Sequence, residues 1–141
     1  MNTQTKIAYG TREWFEMIGQ TMCNAARAKN LGPDVNYSLV EHFVDGDDWG
    51  DGMKEGFRLD IEGGQPRFQV GAKPGEMADL TINVTRNASR QLNTMHGYDP
   101  EFEPAIAKFM GNGEFTVVQG DLNDLFELIG PIHDTVVDRT A

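Results

Sequence analysis

Cysteine is almost missing from this chain: Cys23 stands alone. An intramolecular disulfide is therefore impossible, and so is a cysteine-based zinc site. Cys23 falls in a helical pattern beside Met22, Ala25 and Ala26 and reads as a buried thiol that packs like a small apolar side chain. Basic residues are scarce as well, 12 against 22 acidic ones, for a formal net charge of −10. Such a surface repels phosphate backbones and anionic lipid headgroups, which excludes nucleic acid and electrostatic docking on an acidic membrane. No apolar run approaches the roughly 20 residues that span a bilayer, so stable membrane insertion is not expected. The first residues, Met1 to Lys6, are polar with no apolar run behind them; no secretion signal is expected, and a cytoplasmic location is.

Motifs of catalysis are missing too. The sequence has no Gly-x-Ser-x-Gly elbow, phosphate-binding loop or dinucleotide fingerprint. Gly111-Asn112-Gly113 is too short for a phosphate loop and precedes a strand, so it reads as a turn. His42, His96 and His133 lie in separate elements without ligand spacing. Neither a metal nor an organic cofactor is expected, and the chain does not read as an enzyme. His96 with Asp99 is the one pair left open for acid–base chemistry.

What is present suits a folded chain: 141 residues, 39% apolar and 24% charged, a length that fits one domain with its core between about residues 10 and 139. A helix is predicted over Thr11 to Lys29, where Trp14, Phe15, Ile18, Met22, Ala25 and Ala26 share a face. Thr11 caps it and Gly32-Pro33 stops the chain. Asn36 to Val44 is apolar on both faces, Leu39 and Phe43 on one and Val40 and Val44 on the other, as for an interior strand. Glu55 to Glu62 alternates, with Phe57, Leu59 and Ile61 inward. Gly63-Gly64 supplies a hairpin turn into Arg67 to Val70. Ala78 to Thr85 is a further alternating strand, followed by helices over Ala88 to Met95 and Glu103 to Met110 and a last strand over Glu114 to Gln119. That helical passage implies a crossover leaving the last two strands parallel. Asp121 caps a final helix whose stripe is Leu122, Leu125, Phe126 and Ile129, and Gly130-Pro131 should split it. The expected class is α+β, a five-stranded mixed, mostly antiparallel sheet covered by helices chiefly on one face.

Between the first two strands lies the acidic loop Asp45 to Gly52. A helix–loop–helix calcium site does not fit it. Opening at Asp45 puts Trp49 at the fifth position and Gly56 at the twelfth; opening at Asp47 puts Arg58 at the twelfth, where a glutamate is needed. The loop reads as a solvated hairpin connection, with Trp49 a candidate contact for a partner.

Two segments carry a family resemblance. Ala78-Asp79-Leu80-Thr81-Ile82-Asn83-Val84-Thr85 is similar to a strand that precedes a helix in the sterol carrier protein 2 family. Pro104 to Asp121, with its helix, glycine turn, strand and Gly120-Asp121 cap, resembles that family's later pattern. The resemblance covers roughly Tyr37 to Ile129. It implies a hydrophobic tunnel between the sheet and the later helices and a sterol, fatty acid, acyl-CoA or similar apolar guest. The chain departs from the basic lipid-transfer members: it is acidic, and its last residues, Arg139-Thr140-Ala141, are no peroxisomal address.

The resemblance implies that the lining is apolar: Phe57, Leu59, Phe68, Leu80, Ile82, Phe102, Ile106, Phe109, Met110, Phe115, Leu125, Phe126 and Ile129, with Gln91 and Gln119 as polar candidates for the mouth. The same side chains would otherwise simply fill a solid core. Each methylene moved from water into such a lining contributes about 0.8 kcal/mol, so a long chain needs few polar contacts. The leading functional expectation is a carrier or sensor of a lipid-like small molecule. The alternatives are an accessory subunit that presents a hydrophobic substrate to a partner enzyme, and a small enzyme on a cone-shaped α+β fold. A closing amphipathic helix after the last strand argues against the cone.

Overall fold

The computed structural model describes residues 6–141. The polar stretch Met1 to Thr5, on which the expectation of no secretion signal partly rests, lies outside the described residues.

Helix α1 (Arg12–Ala28) starts where the sequence places a cap: the Thr11 hydroxyl accepts the Trp14 amide at 3.2 Å. Glu13 stands in its first turn and Arg27 in its last, both favourable to the helix dipole. Its buried face carries Trp14, Phe15, Met17, Ile18, Met22, Cys23 and Ala26. Gly19 lies on the same face for a packing reason: a Cβ there would stand 2.0 Å from the Phe68 ring. Gly19→Val is therefore expected to lower the unfolding free energy by about 1–3 kcal/mol through overpacking. Urea denaturation of Gly19→Val, alone and combined with Phe68→Ala, checks it; a loss unchanged by the second substitution would rule out the contact as cause.

The strands are β1 (Tyr37–Phe43), β2 (Asp48–Gly50), β3 (Met53–Glu62), β4 (Gln65–Ala72), β5 (Leu80–Val84) and β6 (Phe115–Gln119). They form one mixed sheet in the order β4-β3-β1-β5-β6, with β2 added to the start of β3. Five strands were expected; the sixth, β2, comes from the acidic loop, which folds back on β3 at Asp48↔Lys54. The β3–β4 hairpin turns through Gly63 and Gly64, with φ of 56° and 79°, the positive pair that a two-residue turn demands. A side chain at Gly64 would also strike the Leu31 carbonyl oxygen at 2.5 Å.

One expectation is corrected. The last two strands, β5 and β6, run antiparallel, and the parallel pair is β1 with β5. Helices α2 (Arg86–Leu92) and α3 (Phe102–Gly111) do not cross the sheet. They make an excursion that returns to the end it left: Thr85, just after β5, donates its amide to the Glu114 carbonyl, just before β6, at 2.9 Å. The chain is then split at Gly130-Pro131 into α4 (Leu122–Ile129) and α5 (His133–Asp138), as the sequence predicts.

The main core lies between the inner sheet face and the helices, while Val40, Ala72 and Ala78 make a small second cluster behind the sheet. Val44, expected to cover a strand face, is exposed instead.

Candidate functional site

The inner face of the sheet is a broad apolar floor. β1 contributes Leu39 and Phe43, β3 contributes Phe57, Leu59 and Ile61, and β5 contributes Leu80, Ile82 and Val84, all buried. The period of two puts these residues on one side. Trp14, Phe15, Ile18 and Met22 of α1 roof it, and Leu92, Phe109, Leu125, Ile129 and Val136 of the later helices close the rest.

The later helices rest on different neighbours. α3 leans on α2 and β6, whereas α4 leans on α1. Among the expected lining residues, Phe57, Leu59, Leu80, Ile82, Phe109, Leu125 and Ile129 are buried. Phe68, Phe102, Ile106 and Phe115 pack on the core but are only partly covered. Met110 and Phe126 are 46% exposed, each one step outside the buried line of its helix. The apolar set thus divides into a closed floor and an open rim.

One residue on the floor is polar and has no counterpart in the expected lining. Glu41 stands between Leu39 and Phe43 on β1, opposite Phe57 of β3 and Ile82 of β5. It lies deep in the protein, yet it keeps accessible surface and no described residue hydrogen-bonds its carboxyl. Its floor neighbours Leu39, Phe43, Phe57 and Ile82 are all buried, so the surface that Glu41 keeps points to unfilled space beside it. Loss of water around it pushes its pKa from 4.5 up to about 7. The spacing Leu39-x-Glu41-x-Phe43 was the available signal, since alternation alone puts Glu41 on the inner face.

No family model matches the chain, and no curated protein matches it. Solved structures do. The solution structure of TT1886 from Thermus thermophilus, suggested to be a sterol carrier protein, aligns over 99% of this chain and 97% of its own at a TM-score of 0.52 and 10% identity. A crystal structure of sterol carrier protein 2 aligns over 93% of this chain and 98% of its own, at a TM-score of 0.52 and 14% identity. The chain has a sterol carrier protein 2-like fold.

No continuous tunnel is displayed among the described residues of this sterol carrier-like fold; the floor residues are packed as core. The glutamines are engaged elsewhere. Gln91 is exposed and donates to Asn87 one turn back along α2 at 2.9 Å. Gln119, at the end of β6, donates to the Ala78 carbonyl at 3.0 Å.

Polar side chains gather at the α2 end of the floor. Tyr9 donates its hydroxyl to the Arg86 carbonyl at 3.2 Å. Burial pushes its phenol up to about 12, and the charges of Glu55 and Glu41 add to that. Glu55 is buried and its charge is matched: Arg86 donates Nε to Oε2 at 3.0 Å and Nη2 to Oε1 at 2.5 Å. Asp47 meets the same guanidinium at 3.0 Å, and the Asp45 carboxylate accepts the Arg86 amide at 2.8 Å. The acidic loop is therefore a clasp on the start of α2. Trp49 belongs to the fold as well: it packs edge-on against Phe15 at 5.4 Å under the Arg12 guanidinium at 5.0 Å, so it does not stand free for a partner.

The His96 ring turns to Asp138 rather than to Asp99. Its Nε2 lies 2.6 Å from Asp138 Oδ1, while Asp99 accepts the His96 backbone amide. The Asp138 partner raises the His96 pKa. A raised folded value means that the contact stabilises fully below the ordinary histidine range and fades as pH rises through the folded value. Asp138→Asn is expected to lower the His96 pKa, read by NMR titration of the ring; an unmoved titration would show the pair to be absent in solution.

Two hollows open elsewhere. One of about 220 Å³ lies between α1 and β4 at Gly19, Cys23 and Phe68. The other, about 360 Å³, lies behind the sheet at His42, Lys54 and Asn83, with the exposed Val44, Met77 and Val118 around it. Among the described residues no helix is long and apolar enough to cross a membrane.

Proposed function

We propose that the chain binds an apolar, lipid-like small molecule between the inner sheet face and the helices, without transforming it. The observation that carries this is the set of partly or largely exposed apolar side chains on α3, β6 and α4, namely Phe102, Ile106, Met110, Phe115 and Phe126, alongside a closed apolar floor. The sterol carrier-like fold supports it. The α3 and α4 helices rest on different neighbours, so they can part to admit a chain while each keeps its own support. Burial of the chain's methylenes drives entry. In this reading the thirteen apolar residues form the lining, Glu41 adds a polar group, and no cofactor or metal takes part.

Organic extraction and native mass spectrometry of the purified protein, followed by displacement of Nile red with 1-dodecanol, test the proposal. A co-purified apolar molecule, or saturable Nile red binding reversed by dodecanol, is expected. Absence of both removes the binding reading.

Presentation of the bound molecule to a partner enzyme is the second reading. The exposed Val44, Met77 and Val118 around the hollow behind the sheet favour it. A photo-crosslinker at position 77 should capture one discrete partner in the source cell; only self-products or none would leave the first reading alone.

A further inference from the structure

We propose that Glu41 is the head-group acceptor of this chamber, which takes an apolar molecule ending in a hydrogen-bond donor, a hydroxyl or an amine, rather than in a carboxylate. The inference rests on the binding reading above and names the ligand chemistry of that same site.

The contrast between Glu41 and the buried Glu55 carries the argument. Glu55 is buried and held by two hydrogen bonds from Arg86, the usual arrangement when a charge is taken from water. Glu41 sits at the centre of the floor with Phe57 and Ile82 on either side and Leu39 and Phe43 along its strand, none of which offers a side-chain donor. An acceptor left without a donor in such surroundings is unfavourable. It faces an internal space, and a donor from a guest is the partner that space can admit.

The charged groups around it point the same way. Glu55 is committed to Arg86, and Arg90 lies over the Tyr9 ring at 5.5 Å. His42, the next residue on β1, faces the other side of the sheet and bonds the Glu76 carbonyl at 2.7 Å. Tyr9 is the remaining titratable neighbour, and its phenol stays protonated. Of the two guanidiniums near Tyr9, Arg86 is held by Glu55 and Asp47, and Arg90 is stacked on the Tyr9 ring. A carboxylate tail would instead confront Glu41, and the chain's net charge of −10 opposes its approach. With a pKa near 7, Glu41 can bond a hydroxyl when protonated and hold an ammonium when ionised.

The test uses the whole chain loaded with Nile red and three twelve-carbon competitors below their micellar concentrations: dodecylamine, 1-dodecanol and dodecanoate, at pH 8. The parent chain should release the dye at a dodecylamine concentration at least tenfold below that of dodecanoate. Glu41→Gln should narrow that gap to less than threefold while dodecanol still competes, and Glu41→Leu should behave alike. An amine adsorbed on the acidic surface would keep its advantage in both variants, because each changes the net charge by only one. A preference that survives both variants, or no preference in the parent chain, overturns the inference and leaves the binding reading standing. Failure of all three competitors and of Nile red to bind overturns both.

Discussion

At pH 8 the Glu41→Gln variant should be more stable than the parent chain by about 2 kcal/mol. The reason is the cost of an ionised carboxyl on an apolar floor. Raising a carboxyl from 4.5 to about 7 corresponds to on the order of 3 kcal/mol at about 1.36 kcal/mol per pH unit. The new buried amide gives back about 1 kcal/mol of that gain. The sign follows from linkage. The folded value lies above the unfolded one, so the parent chain has its full stability below pH 4.5, loses it as pH rises toward 7, and is level beyond. The variant lacks this slope. Chemical denaturation of both chains between pH 4.5 and 8 gives the difference curve, in which the other carboxylates cancel. A difference that does not change with pH would mean that Glu41 is solvated and that no enclosed space surrounds it. With the expected slope, the same group limits the fold's stability and selects its guest, a trade expected where a binding site is cut into a core.

Arg86→Ala should cost about 3 kcal/mol at neutral pH. The guanidinium holds Glu55, which is only 5% exposed, and also bonds Asp47. Removing it leaves the buried Glu55 with only a long bond from the Asp47 amide, at 3.5 Å, close to the stranding of a buried charge that costs roughly 3–5 kcal/mol. Arg86 itself is 36% exposed, which keeps the expected loss at the lower end. Adding Glu55→Gln to Arg86→Ala should recover much of the loss, because the stranded charge goes with it. Unfolding of the two variants in urea checks this. A loss below about 1 kcal/mol in Arg86→Ala would show that the clasp between the acidic loop and α2 is a surface contact only.

These expectations depend on features that differ in how visible they are along the chain. The helix α1 was legible from Thr11 to Ala28 because its cap and its apolar face repeat at local spacing. The β3–β4 hairpin was legible because a glycine pair divides two alternating runs. The split between α4 and α5 followed from Gly130-Pro131. The direction of β6 was not legible, since helices between two strands are compatible with a crossover or with an excursion; the Thr85–Glu114 bonds chose the second. The acidic loop looked solvated from its composition, and only the approach of Arg86 from a segment some forty residues on turned it into a clasp.

The candidate site divides in the same way. Its apolar residues could be named one by one, because alternation and helical stripes mark which side chains turn inward. Which of them close the floor and which stay at the rim could not, because that depends on the neighbours against which α3 and α4 come to rest. Glu41 falls between these cases. Its place on the inner face is a matter of local period. Its lack of a partner is a matter of distant residues, for the Arg86 guanidinium is held by Glu55 and Asp47 and that of Arg90 lies over the Tyr9 ring. Local pattern determined the elements, their inward faces and the acidic balance of the chain. Tertiary structure alone decided the order and direction of the strands, which apolar side chains of the later helices stay exposed and the isolation of one carboxyl, since each depends on contacts between segments far apart in the chain.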